Sequence, residues 1–205
     1  MKRKMFVRVV FISMVATAPI SCGYQDFSEE ETDVPHENIE TDQQSFTLAD
    51  QAWWRNLSQM ERNQAILDRT SRDVGVYVGV NCKLWTQRVV ADASRGVAPV
   101  PTTYPDAYGW TWNYSPYTVR VYADIRTVQP GWIVQMNRWN TSGGVTPHTA
   151  IVVGRSSYGI YWVDSNYAVV PDNVVRLHSE SFTDFERATF IYGTYRYSMY
   201  YISGG

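Results

Sequence analysis

Residues 81–96 read NCKLWTQRVVADASRG, and this stretch decides which fold the chain adopts. Asn81 is a favoured N-cap residue, and apolar residues follow at helical spacing until Gly96 ends the pattern (Trp85, Val89, Val90, Ala93). The stretch therefore predicts a helix that begins at Cys82. One long helix is also predicted upstream, over residues 48–70, because apolar residues recur there at partly helical spacing without Gly or Pro.

The second half of the chain changes to short β-like runs separated by turn residues. The candidate strands are residues 118–123, 131–137, 148–154, 160–165, 174–177 and 189–197. Helices followed by a series of strands favour an α+β fold with an antiparallel sheet. The whole chain has 205 residues, of which 44% are hydrophobic and 19% charged, and this length suits one compact domain rather than two.

A long loop is predicted between the helices and the strands, over residues 99–116. It is rich in Pro, Tyr, Trp and Thr, and a loop of this length inside a compact domain is usually functional. Its aromatic side chains are candidates to line a substrate cleft, although large aromatic residues also serve to anchor a loop to the body of a domain. These residues are Tyr104, Tyr108, Trp110, Trp112 and Tyr114.

The first 21 residues are typical of an export signal, with a basic start and an apolar run from Met5 to Ala18. The run is shorter than the ~20 apolar residues that a membrane-spanning helix needs. Cleavage after Ala18 is one interpretation. The favoured one is cleavage before Cys22, because the preceding residues resemble a bacterial lipobox. Cys22 would then carry lipid and anchor the chain at the bacterial cell envelope, on the outer membrane or the periplasmic side; without lipidation the protein would be secreted.

Residues 22–46 are strongly acidic, with eight Asp or Glu residues and no Lys or Arg. Such a composition cannot form a core, so we interpret the segment as a flexible tether, with an acidic partner-binding tail as the alternative. The remaining residues, 47–205, are interpreted as the folded domain. They carry 14 basic and 12 acidic residues and no basic stripe, which gives nucleic-acid binding no electrostatic support.

Cys82 is a lone thiol once Cys22 is lipidated or removed. A lone cysteine is often only a small buried apolar residue. At a helix start, however, the positive end of the helix stabilises a thiolate and lowers the thiol pKa, as a nucleophile needs. The domain offers two histidines as the base. His148 begins the strand-like run HTAIVVG after a Gly-rich turn and is favoured, whereas His178 is interpreted as a surface or hairpin residue.

Strand pairing suggests which residue orients the His148 ring. If residues 148–154 and 160–166 form an antiparallel hairpin, the numbers of opposed residues add up to a constant. A constant of 312 places Asp164 opposite His148, and a constant of 314 places Asn166 there. In both registers His148, Asp164 and Asn166 share one face, because side chains alternate with period two. An odd constant would separate them.

In order along the chain, these elements resemble the cysteine, histidine-dependent amidohydrolase/peptidase (CHAP) family, which is related to NlpC-type and papain-like cysteine peptidases. Residues 81–85 (NCKLW) resemble the family's cysteine at a helix start, residues 128–131 (VQPG) its Pro-Gly turn, residues 148–153 (HTAIVV) its histidine strand, and residues 162–167 (WVDSNY) its acid-x-Asn element. The resemblance covers roughly residues 72–200. It implies a papain-like fold in which the helix that bears the nucleophile packs on the sheet.

The resemblance also implies hydrolysis of an amide bond in peptidoglycan, either within the stem peptide or between sugar and stem. Cys82 is then the nucleophile, His148 the base, and Asp164 or Asn166 the residue that orients the ring, with no metal and no cofactor implied. Peptidoglycan or its stem peptides and the membrane anchor are the expected partners. Two other hypotheses stay open: a lipoprotein that binds wall or protein with a silent site, and a cysteine peptidase that acts on proteins.

Overall fold

The computed structural model describes residues 47–98, 116–140, 143–165 and 173–205. Four α-helices and eight β-strands lie in these ranges. The helices are α1 (Leu48–Asn56), α2 (Gln59–Asp73), α3 (Cys82–Ala93) and α4 (Phe182–Thr189). The strands are β1 (Thr118–Val121), β2 (Ile133–Trp139), β3 (Val145–Arg155), β4 (Gly159–Ser165), β5 (Val175–Ser181), β6 (Phe190–Ile191), β7 (Thr194–Tyr195) and β8 (Tyr197–Ile202).

The long helix predicted over residues 48–70 is wrong, because two helices meet there. Ser58 accepts a hydrogen bond from the backbone N–H of Glu61, and the Glu61 carboxylate in turn accepts one from the Ser58 N–H. Thr47 and Asp50 form the same reciprocal box at the start of α1. Each box satisfies N–H groups that a helix start leaves without an intrahelical partner. A new helix therefore starts at Gln59 although no Gly or Pro interrupts the sequence.

Six strands form one antiparallel sheet in the order β1-β8-β2-β3-β4-β5, and β6 and β7 form a separate hairpin. The strand predicted over residues 189–197 is wrong in its bounds, because Tyr192 and Gly193 turn the chain with positive φ angles and β8 follows. Helix α4 also lies where no helix was predicted. The α+β class with an antiparallel sheet is observed.

Both faces of the sheet are buried. One face packs against α1, α2 and α3 around Trp54, Ile66 and Trp85, together with inward-facing strand residues such as Ile151. The opposite face packs against α4, where Phe185 meets Ala150, Val152 and Trp162 among others. The sheet is thus the middle of three layers. No helix in the described ranges is long and apolar enough to cross a membrane.

The predicted Pro-Gly turn brings α2 against the sheet. Gly131 has φ +84°, and a Cβ placed there would lie 2.7 Å from the Cβ of Asn63 in α2. Its N–H donates to Val152 O at 2.8 Å. Only glycine tolerates both this backbone angle and this close approach. The turn therefore fixes the spacing between α2 and the β2–β3 pair.

A β-bulge in β3 determines which side chains share a face with Asp164. Opposed residue numbers in the β3–β4 hairpin add up to 315 next to the turn (Gly154 with Tyr161) but to 314 beyond Val153 (Val152 with Trp162). The bulge inserts one extra residue in β3, which reverses the alternation of side chains relative to β4. Beyond it, even-numbered residues of both strands share one face of the sheet, so His148 and Asp164 lie on the same face. The constant of 314, not 312, applies there.

Candidate active site

Cys82 is the first residue of α3. Asn81 caps the helix by accepting a hydrogen bond from the Leu84 N–H at 3.0 Å. The segment before the cap is tied to the sheet because Ser165 Oγ donates to Val80 O at 2.9 Å. The Cys82 thiol is therefore held at the N-terminal end of a capped helix, next to the end of β4. Its side chain is buried, with the residue 1% exposed.

His148 and Asp164 form a buried hydrogen-bonded pair. The distance between His148 Nε2 and Asp164 Oδ2 is 2.9 Å, and the residues are 4% and 0% exposed. The register of β3 and β4 pairs Ile151 with Val163 and so places His148 diagonally to Asp164. The predicted hydrogen bond between the imidazole and the carboxylate is thus present.

Cys82 completes the cluster. A side-chain hydrogen bond joins His148 to Cys82. Nε2 of the ring is engaged with Asp164, which leaves Nδ1 as the ring nitrogen available to the thiol. The three side chains therefore stand in the order thiol, imidazole, carboxylate, with the ring between the two acidic groups.

The electrostatics favour a charged imidazole. Burial of the His148 ring opposes its charge, but the negative charges of Asp164 and the Cys82 thiolate, with hydrogen bonds to both, raise the pKa of His148 to about 10. Burial alone would raise the pKa of Asp164. The charge and hydrogen bond of His148, together with the contact to His178, outweigh this effect, so the pKa of Asp164 is lowered. The site is thus built to hold an imidazolium between two anions.

His178 also contacts Asp164, a role that the sequence did not indicate. It lies in β5 opposite Trp162, and its Nε2 is 3.4 Å from Asp164 Oδ1. The sequence suggests a surface or hairpin residue: His178 does lie in a strand paired with β4, but the surface alternative is wrong, since its side chain is only 17% exposed. The one available signal was strand periodicity, because His178 and Asp164 share a face once β4 and β5 are paired in register. Nothing local to residues 174–177 fixes that register.

Several predicted residues lie outside the described part of the chain. Asn166, the second candidate for orienting the ring, belongs to this group, as do Cys22 and the five aromatic residues of the 99–116 loop. Among the residues that the structure describes, no group of three or more His, Cys, Asp or Glu side chains is arranged to hold a metal ion.

Comparison with known proteins shows a weak structural similarity to a solved structure. No family model matches the chain, and no curated protein matches it. One similar solved structure is described as "The crystal structure of Ly7917"; it has a TM-score of 0.45 at 16% identity, over 67% of this chain and 61% of that chain. The aligned region thus spans less than two thirds of the solved chain. A similarity this weak carries no functional meaning, and the function has to be argued from the chain's own residues.

Proposed function

We propose that the chain is a papain-like cysteine amidohydrolase or peptidase of the CHAP type, in which Cys82 is the nucleophile, His148 the general base and Asp164 the residue that orients the ring. The observation that carries this proposal is the buried cluster of a helix-start thiol, an imidazole joined to it, and a carboxylate 2.9 Å from the far side of that imidazole. Nucleophile, base and orienting group in this order are the parts that acyl transfer needs.

The reaction follows from these positions. Nδ1 of His148 takes the thiol proton, and the Cys82 thiolate attacks the carbonyl carbon of an amide. In this proposal the backbone N–H at the first position of α3 receives the oxyanion, with support from the helix dipole. Collapse of the tetrahedral intermediate breaks the C–N bond, and the amine leaves with the proton from His148. Water, deprotonated by His148, then hydrolyses the thioester and restores the thiol.

The proposed substrate is an amide of bacterial peptidoglycan. Support comes from the export signal with Cys22 at its end, the acidic tether of residues 22–46, and the resemblance of residues 72–200 to wall-active enzymes. The proposed location is accordingly the cell envelope, through a lipid on Cys22. Whether the bond lies within the stem peptide or between sugar and stem distinguishes an endopeptidase from an amidase.

Digestion of purified peptidoglycan tests the proposal. The full chain with Cys22→Ser, which leaves Cys82 as its single thiol, is compared with the same chain carrying Cys82→Ala, and the products are analysed by mass. We expect soluble fragments only from the chain that retains Cys82. A new amine within the stem indicates an endopeptidase, and a free lactyl carboxylate indicates an amidase. Identical digests from the two proteins would refute the assignment, and cleavage of denatured casein instead of the wall would favour a protein peptidase.

A second function is favoured by the burial of the site. Cys82 is 1% exposed and His148 4% exposed, whereas a nucleophile has to reach a carbonyl carbon. A lipoprotein that binds wall or protein through other surfaces, with a silent thiol, would have this feature. Iodoacetamide separates the two: rapid alkylation of Cys82 in the folded Cys22→Ser chain supports the enzyme, and alkylation only after unfolding in urea supports the silent protein.

A further inference from the structure

Asp164 is held from two sides by histidines that come from different strands. Oδ2 is 2.9 Å from Nε2 of His148 in β3, and Oδ1 is 3.4 Å from Nε2 of His178 in β5. The carboxylate itself is fully buried in β4, the strand between them. Only the Oδ2 contact has the geometry of a full hydrogen bond, but a histidine beside each oxygen limits the orientations of the carboxylate plane, and this plane sets the direction in which Oδ2 points.

We propose that His178 is a positioning residue for this site, whose Nε2–H donates to Asp164 Oδ1 and thereby keeps Oδ2 directed at His148. This inference rests on the proposed roles of Cys82, His148 and Asp164. The distance of 3.4 Å is longer than a normal N–H···O hydrogen bond and its geometry falls short of one, so we assign the contact an orienting role rather than tight binding. His178 thus acts through Asp164.

The surroundings of His178 support a fixed ring in the Nε2–H form. Its ring centroid is 6.4 Å from that of Trp162, at an interplanar angle of 41°. The charged groups facing it on the sheet are Asp164 on β4, Arg176 and Glu180 at alternate positions on β5, and Arg138 on β2, whose guanidinium lies 5.4 Å over the Trp162 ring. Arg138 and Glu180 form a two-point ion pair and largely neutralise one another. With those two charges paired, Asp164 is the acidic group toward which the Nε2 side of the His178 ring is oriented.

A donor role and a merely space-filling role predict different results for isosteric replacements. Gln and Met have nearly the same shape, but only Gln can donate a hydrogen bond to Oδ1; Asn and Leu form a second such pair. We therefore compare His178→Gln with His178→Met, and His178→Asn with His178→Leu. Two pairs are used so that the comparison survives if one variant does not fold, which urea unfolding of each variant reports.

The first readout is the imidazole proton of His148 Nε2, which a held hydrogen bond to Asp164 shifts downfield and protects from exchange in the NMR spectrum. We expect the signal in the wild type and in the Gln or Asn variant, and exchange broadening in the Met or Leu partner. The second readout is peptidoglycan hydrolysis, where the variants without a donor should lose about 10- to 100-fold in kcat with KM nearly unchanged, because the ring is misoriented.

The two readouts separate this inference from the proposed function. If the wild type does not hydrolyse peptidoglycan but the proton signal follows the donor in each pair, His178 positions Asp164 and the proposed function fails. If both members of a folded pair keep the signal, or both lose it, the donor does not matter and the role assigned to His178 is wrong.

Discussion

Replacing Asp164 by Asn removes one negative charge from the buried cluster and leaves its shape nearly unchanged. The carboxylate is fully buried and its Oδ2 lies 2.9 Å from His148 Nε2. At that distance and an effective dielectric constant of about 20, a pair of unit charges interacts by about 6 kcal/mol. Desolvation of both groups offsets part of this attraction.

If about half of that interaction remains as net stabilisation of the imidazolium, Asp164→Asn costs about 3 kcal/mol. This equals a fall of about two units in the pKa of His148. The same change weakens the imidazolium–thiolate pair, so we expect turnover to fall by at most about 100-fold.

The assay is the pH titration of the His148 ring by NMR in the Cys22→Ser chain, with and without Asp164→Asn, beside the rate of peptidoglycan hydrolysis. Asp92→Asn is the matched control, because Asp92 also pairs with a cation, Arg69, but is about half exposed. Exposed pairs contribute about 1 kcal/mol or less. A His148 midpoint that is the same in the Asp164→Asn protein as in the Asp92→Asn control would refute the electrostatic reasoning.

Three further measurements follow from the structure. The pKa of His148 is raised, so the stability it contributes is fully present below its ordinary pKa near 6.5 and is lost as pH rises through about 10. The pKa of Asp164 is lowered, so its contribution is present above about 3.8 and is lost as pH falls further. Urea unfolding should therefore show the largest stability difference between wild type and Asp164→Asn from about pH 4 to 6.5; a difference that grows above pH 7 would contradict this sign. Ser58→Ala should destabilise the protein by about 1 kcal/mol through loss of the α2 cap, whereas Ser71→Ala, on the exposed side of the same helix, should change it by less than about 0.5 kcal/mol. Cys22→Ser should move the protein from the membrane fraction to the soluble fraction; an unmodified N-terminus at Pro19, found by intact mass, would show that no lipid is attached.

Local patterns in the sequence were sufficient for the elements that carry the site. Asn81 before an apolar helical run predicted the start of α3, and the β-like runs of residues 148–154 and 160–165 predicted the two strands that pair as β3 and β4. The break between α1 and α2 was also encoded, in the Ser58 and Glu61 capping pair, but the absence of Gly and Pro concealed it. Helix α4, with eight residues, is shorter than the window of about 11 to 18 residues over which a helical pattern is recognised.

Local sequence patterns could not predict the contacts between segments that are distant along the chain. The strand order places β8 between β1 and β2, a pairing that depends on packing of the whole sheet and not on any local signal. The contact of His178 with Asp164 depends in the same way on the register of β5, which is set over its full length by pairs such as Asp164 with Arg176. Long-range pairing is therefore what concealed the second histidine.

Because side chains alternate along a strand, the number of residues between His148 and the bulge at Val153 decides on which face of the sheet the imidazole lies. Loss of one residue between His148 and the bulge would turn the imidazole to the opposite face of the sheet, away from Asp164, while the loss of two would return it. A point substitution in this stretch changes only local packing. A single insertion or deletion separates His148 from Asp164 and so removes the whole site. Homologous chains that retain the site should therefore vary in length here by even numbers, or carry a compensating change in the bulge itself.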